Sequence, residues 1–272
     1  MHEFLENNRS LWNGWTQLHK HSRFYDIEGF KASKSTLEPL EIEEVGDVAG
    51  KSLLHLQCHF GMDTLSWARL GARVTGADFS EEAIKLARSL AAELNLPAEF
   101  IASNIYDLPR VLEGEFDIVF TSYGVLSWLP DLNAWGKVIA HFLKPGGAFH
   151  LVEYHPFTSM LGDDGHTFEY PYFHTPDPVK LHSTGSYAAP EATDFTHTEY
   201  NWSHSLGDVV TALIRAGLRL EFLHEFDYWH ASPFTAEEFE PGKTRITGWP
   251  VTPPHMFSLR AVRVPGKEDE PI

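Results

Sequence analysis

The chain has a single cysteine, Cys58, so no internal disulfide can staple it. Its stability must come from a buried core, and 43% hydrophobic and 13% aromatic residues over 272 positions supply one. Positive charge is scarce. The 21 Lys and Arg stand against 38 Asp and Glu, a net charge of −17, and the basic residues form no cluster. A chain so acidic has no electrostatic means of holding a phosphate backbone, so the expectation is no nucleic-acid partner and no anionic membrane. No apolar run approaches the ~20 residues that cross a bilayer. No positive start followed by an apolar core precedes Trp12, as a signal peptide would require. A cytoplasmic location is the expectation. There is no nucleophile elbow, Walker loop, paired-cysteine zinc site or kinase signature, and no repeat or low-complexity tract.

What is present is alternation. Short apolar runs at 52–56, 73–77, 99–102, 116–121 and 148–153 read as strands, the fourth (FDIVFT) apolar enough for the middle of a sheet. Helical patterns separate them: 62–70, stopped by Gly71; a helix capped by Ser80 with Glu81 and Glu82 in its first turn; and 132–143, stopped by Lys-Pro-Gly-Gly at 144–147. Regularity returns at Ser205, where Ser-Leu-Gly-Asp is a capping-box variant opening a helix that Gly217 ends. Strands follow at 218–225 and 256–264 with no helix between them, so they should form an antiparallel pair. Strand–helix alternation means right-handed crossovers and a parallel sheet covered on both faces. The fold class is therefore α/β: a Rossmann-like, seven-stranded, mostly parallel sheet with an antiparallel last strand.

Around this core, Leu11, Trp12, Trp15 and Leu18 make an apolar stripe on a helix over 4–20, either packed on the domain or serving as a lid over a flat ligand. Residues 22–34, with Phe24, Tyr25 and Phe30, read as an ordered loop, and 35–48 reads as a helix. Segments 156–202 and 227–254 are irregular and long enough to be functional. The expected organisation is a helical cap over 1–50, a main domain over 51–264 with those two insertions, and a frayed tail over 265–272.

Residues 53–80 carry the strongest signal: strand, loop ending at Gly61, helix, strand, then Asp78. An acid at the end of the second strand faces the crevice where the first loop meets a helix, and can accept hydrogen bonds from two ribose hydroxyls. Asp78 could instead merely cap the next helix, but Ser80 already fills that role.

This stretch resembles the nucleotide loop of the class I S-adenosylmethionine-dependent methyltransferases. Their acid-x-Gly-x-Gly-x-Gly becomes His55, Gln57, His59 and Gly61 here. The variant LHLQCHFG is similar to one found in a bacterial subgroup largely of unassigned substrate. The second-strand pattern at 71–80, the loop Ser-Asn-Ile-Tyr-Asp-Leu-Pro at 103–109, FDIVF at 116–120 and Leu-Lys-Pro-Gly-Gly at 143–147 extend the resemblance over 51–264.

The resemblance implies S-adenosylmethionine as cofactor. Backbone around Gln57, Cys58, His59 and Gly61 would contact its methionine part. Asp78 would hold the ribose, Phe79 would pack on the adenine, Asn104 would bond the adenine amine and Ile105 would support the ring. Thr121, Ser122 and Tyr123 would line the sulfonium end, with Tyr25 in the same pocket. With side chains where glycines are usual, either the loop has another shape or those side chains touch the cofactor's carboxylate.

Among the 16 histidines, His55 on a strand reads as structural. His155 and His204, at the C-terminal edge of the sheet, are candidate general bases together with Tyr123 as a further catalytic candidate. His174 and His182 could join the two histidines in a metal site or merely line a pocket; the expectation is no metal. The implied function is methyl transfer to a small-molecule acceptor by a monomer or homodimer. The alternatives are a cofactor-binding protein without turnover and a nicotinamide oxidoreductase using the same crevice.

Overall fold

The computed structural model describes residues 1–230, 232 and 234–265. Five parallel strands form its spine: β1 (Ser52–Leu56), β2 (Arg73–Asp78), β3 (Ala98–Ala102), β4 (Phe116–Ser122) and β5 (Leu143–Tyr154). With β8 (Leu218–Phe226) and β11 (Met256–Arg263) they make one sheet in the order β3-β2-β1-β4-β5-β11-β8. The last strand slots between β5 and β8 and runs antiparallel to both, as the missing crossover helix requires.

Alternate residues of β1 serve two cores. Leu54 and Leu56 point to the face covered by α6 (Leu132–Phe142) and α7 (Leu206–Arg215), where Trp135, Ile139, Val209 and Leu213 are buried. Leu53 points the other way, against Trp67 of α4 (Met62–Arg69) and Phe120. Burial on both faces explains why the strands read as near-continuous apolar runs. The helix α5 (Glu81–Glu93) is capped by Ser80, whose Oγ accepts from the Ala83 N–H at 3.1 Å. At α7, Ser205 and Asp208 close a reciprocal capping box.

The structure departs from the sequence reading at 144–147, 22–34 and 35–48, and in the two insertions. The Lys-Pro-Gly-Gly segment lies inside β5 and does not separate helix from strand. Leu143 already pairs with Phe116, and Lys144 is held to Asp117 at 2.8 Å, so 144–147 form an irregularity within the ladder. The loop at 22–34 contains a short helix, α2 (Ile27–Lys31), whose first turn is held by Asp26 accepting from the Gly29 N–H. The helix expected over 35–48 is only α3 (Pro39–Val45). Pro39 sets its start, because the residue before a proline is pushed out of the helical region, and Glu38 is extended (ψ 160°).

Both insertions contain antiparallel ribbons, β6 (Val179–Thr184) with β7 (Thr196–Asn201), and β9 (Ala236–Glu240) with β10 (Lys243–Ile246). Their strands are polar and half-buried, so alternation is faint in the sequence. Residues 266–272 of the expected tail lie outside the described residues.

The helix α1 (His2–His19) lies across β7 and α5. Asn8 is fully buried and bonds Tyr200 twice, Nδ2 to its carbonyl at 2.7 Å and Oδ1 from its N–H at 3.0 Å. Asn13 Oδ1 accepts from the Ser80 hydroxyl at 2.7 Å, tying α1 to the cap of α5. Among the described residues no helix is long and apolar enough to cross a membrane.

Candidate active site

A cavity of about 980 Å³ opens over the C-terminal ends of β1, β2 and β4, under α1 and the two insertions. Its floor is the loop after β1. Gln57, His59 and Gly61 have φ of 56°, 50° and 75°, so all three take the left-handed conformation that glycine adopts without penalty. At these three positions the backbone takes the conformation that glycine favours, despite the two side chains. The two side chains turn to the protein: Gln57 Nε2 donates to the Val125 carbonyl at 3.1 Å, and His59 Nε2 lies 3.0 Å from His19 Nδ1. His19 Nε2 in turn lies 3.1 Å from Ser186 Oγ. Burial lowers the pKa of His19 to about 4 and that of His59 well below the usual histidine value, so both are neutral.

Asp78 ends β2 beneath this loop. Oδ2 accepts from the His59 N–H and Oδ1 from the Ser80 N–H, each at 2.9 Å. Each oxygen keeps a lone pair for a ligand. Burial pushes its pKa up to about 6, opposed by these backbone donors. Phe79, Asn104 and Ile105 line the cavity beside it. Asn104 Oδ1 is taken by the Tyr106 N–H at 3.0 Å, which leaves its amide N–H groups to donate. Cys58 also lines the cavity, and burial raises its thiol pKa.

At the end of β4, Ser122 Oγ donates to Asp63 Oδ2 at 3.3 Å, and Tyr123 lines the cavity with its ring 5.9 Å from that of Tyr154. The Tyr123 hydroxyl lies beside Glu41, a carboxyl only 2% exposed whose pKa burial pushes up to about 8. Glu153 is buried below this turn and accepts from the N–H groups of Gly124, Val125, Leu126 and Tyr154, fixing the loop after β4.

The cavity thus gathers Tyr25, Gln57, Cys58, His59, Gly61, Asp78, Phe79, Asn104, Ile105, Ser122 and Tyr123. Three candidates fall elsewhere. Thr121 is fully buried and off the cavity wall. His155 is also off the wall: Nε2 lies 3.0 Å from Glu225 Oε1, and Nδ1 accepts from the Phe157 N–H at 3.1 Å. His204 is turned away as well, with Nε2 2.6 Å from the Leu129 carbonyl and its ring stacked on His174. Being at the correct edge of the sheet did not suffice, because each side chain found a protein partner. Among the described residues no three His, Cys, Asp or Glu side chains converge as a metal site needs.

Sequence reasoning missed Asp63, Glu41 and Glu153, which gain meaning only when distant elements meet. Of the aromatic roof it found the α1 tryptophans, read there as packed on the domain or as a lid. Trp12 of α1 packs edge-on to Trp128 at 5.3 Å and to His59 at 5.1 Å, with Trp15, Tyr25 and Tyr187 around it.

Residues 53–147 match a protein family described as "Methyltransferase domain". Over that segment the chain is similar to a methyltransferase domain. The ubiquinone biosynthesis O-methyltransferase of Xanthomonas oryzae is 33% identical over 133 residues, 48% of this chain and 55% of that protein. The protein of the same description from Bordetella avium is 27% identical over 194 residues, 66% of this chain and 80% of its own length. The chain thus spans about half the length of the first of these relatives. Solved S-adenosylmethionine-dependent methyltransferases from Mesorhizobium loti and Methanosarcina mazei share the fold. Each has a TM-score of 0.55 and 20% identity; the first covers 83% of this chain and 96% of its own, the second 84% and 98%. Within the matched segment lie the loop, Asp78, Asn104 and the end of β4. Tyr25, the α1 roof and the two ribbons are contributed from outside the matched segment.

Proposed function

We propose that this chain transfers a methyl group from S-adenosylmethionine to a small-molecule acceptor. The observation that carries this is the loop at 57–61, left-handed at three alternate positions, with the Asp78 carboxylate bonded beneath it in one cavity. The residues fit the cofactor: Asp78 has free lone pairs for two ribose hydroxyls, Asn104 has free amide donors for the adenine edge, and Phe79 offers a ring face. Backbone from Gln57 to Gly61 would hold the methionine part, and Ser122 and Tyr123 the sulfonium end, where an aromatic face favours a cation.

The cofactor supplies an electrophilic methyl on a good leaving group. What the chain adds is near-attack geometry and exclusion of water by the aromatic roof. Of the three catalytic candidates only Tyr123 reaches the cavity, so we assign it the acceptor-side role and withdraw His155 and His204.

Residues 1–50 act as a cap over this site in our reading, and the protein works in the cytoplasm, as a monomer or homodimer, without nucleic acid. The test is calorimetry with S-adenosylhomocysteine and with NAD, followed by release of S-adenosylhomocysteine over an acceptor panel. Binding of the first ligand alone, with turnover, supports the proposal. Binding of NAD in its place overturns it.

A further inference from the structure

The cavity is lined unevenly in charge. Asp26, Glu38, Asp63, Asp78 and Glu199 are on its wall, and among the described residues its only Lys or Arg is Lys34, which is committed to Asp26 at 2.9 Å. Two of these carboxyls, Glu38 and Asp63, have no Lys or Arg partner among the described residues. Asp63 receives the Ser122 hydroxyl and sits close enough to Glu38 to feel its charge. Glu41 is near both and behind the Tyr123 hydroxyl, 2% exposed, with Oε2 fully buried and unpartnered. The nearest weak base, His230, is 3.6 Å from Glu38 with Nε2 buried and unpartnered.

Glu41, fully buried with its pKa pushed up to about 8, is held neutral, whereas Glu38 and Asp63 are only partly buried and line the cavity without a cation. Here Ser122, Tyr123, Tyr154 and the open cavity stand where a partner would be. A ligand that brings a positive charge complements this wall.

We propose that the acceptor is an alkylamine, bound as its ammonium against Glu38 and Asp63 with the Tyr123 and Tyr154 rings beside it, and methylated on nitrogen. This rests on the methyl-transfer reading above. The ammonium gives one proton to a carboxylate of the cluster. The freed nitrogen lone pair forms the new C–N bond to the methyl carbon as the C–S bond breaks, and that electron pair stays on sulfur as a neutral thioether. The product is a methylated ammonium, and the carboxylic acid returns its proton to solvent. The methionine ammonium of the cofactor has the same chemistry and is the competing source of the cation.

The test is titration of the S-adenosylhomocysteine-loaded protein with phenethylamine and n-hexylamine against phenethyl alcohol and n-hexanol, read by tryptophan fluorescence and calorimetry. The amines should bind at least tenfold more tightly than the matched alcohols. Glu38→Gln and Asp63→Asn should each erase most of that preference and leave S-adenosylhomocysteine affinity within about threefold. Circular dichroism and thermal melting confirm that the variants are folded. Equal binding of amines and alcohols, or no amine binding to the loaded protein, overturns the proposal. So does a loss confined to S-adenosylhomocysteine, which would place the cofactor's own ammonium at the cluster. A protein that binds no S-adenosylhomocysteine at all overturns the methyl-transfer reading instead, and calorimetry reports that separately.

Discussion

At the scale of single residues, Asp78 does two jobs whose demands differ. It anchors the loop through the His59 N–H and, in the proposed function, accepts from ligand hydroxyls. Its folded pKa of about 6 lies above the ordinary 3.8. Its stabilising contribution to the free protein is therefore present below the ordinary value and lost as pH rises through 6. Ligand binding runs the other way, because hydroxyls donate to the ionised form. S-adenosylhomocysteine affinity should fall about tenfold between pH 7 and pH 5, as the ionised fraction does. Asp78→Asn should abolish that slope, and Asp78→Ala should weaken binding at least tenfold at pH 7; titration calorimetry at several pH values checks both.

Gln57 and His59 make a second, contrasting pair. A left-handed non-glycine residue costs about 1–2 kcal/mol, and glycine loses about 0.5–1 kcal/mol of that advantage through chain entropy. Gln57→Gly gives up one hydrogen bond and should stay within about 1 kcal/mol of the parent in urea unfolding. His59→Gly also gives up the His19 contact and its aromatic neighbours, and should lose about 2 kcal/mol or more. The acid Asp78 was legible from strand-end position alone. The left-handed backbone at Gln57 and His59 was not, because nothing in those two residue types announces it.

At the scale of elements, the sheet was legible because its strands are apolar on both faces and its helices carry their own caps at Ser80 and Ser205. The ribbons were hidden for the opposite reason. The strand β7, Thr-His-Thr-Glu-Tyr-Asn, is held by backbone pairing to β6 and by the side chains of α1, not by an apolar face. Asn8 is the key to that contact, since its amide replaces a neighbouring strand on both the N–H and the C=O of Tyr200. Asn8→Ala would leave two buried backbone groups unpaired, at about 1–3 kcal/mol each. Hydrogen exchange should then show faster loss of protection over residues 2–19 and 196–201 than over β1 or β4. Uniform loss across the whole sheet would contradict this division.

At the scale of the whole molecule, −17 is a large self-repulsion for 272 residues. Raising ionic strength from about 0.01 M to about 0.15 M shortens the Debye length from roughly 30 to 8 Å, so thermal stability should rise over that interval in a scanning melt. The ion pairs present are mostly half-exposed and too weak to reverse the sign. Three remote parts of the chain meet in one short hydrogen-bonded line, His59 to His19 to Ser186. Both imidazoles are neutral, so a single proton lies between them and the line has a polarity. With His19 donating, the outer nitrogen of His59, buried and unpartnered, carries a hydrogen; with His59 donating, that nitrogen is a bare acceptor. Rotation of the Ser186 hydroxyl accompanies the change, and no heavy atom need move. The loop at 57–61 can thus present a donor or an acceptor at the same point, chosen by a serine more than a hundred residues away in sequence.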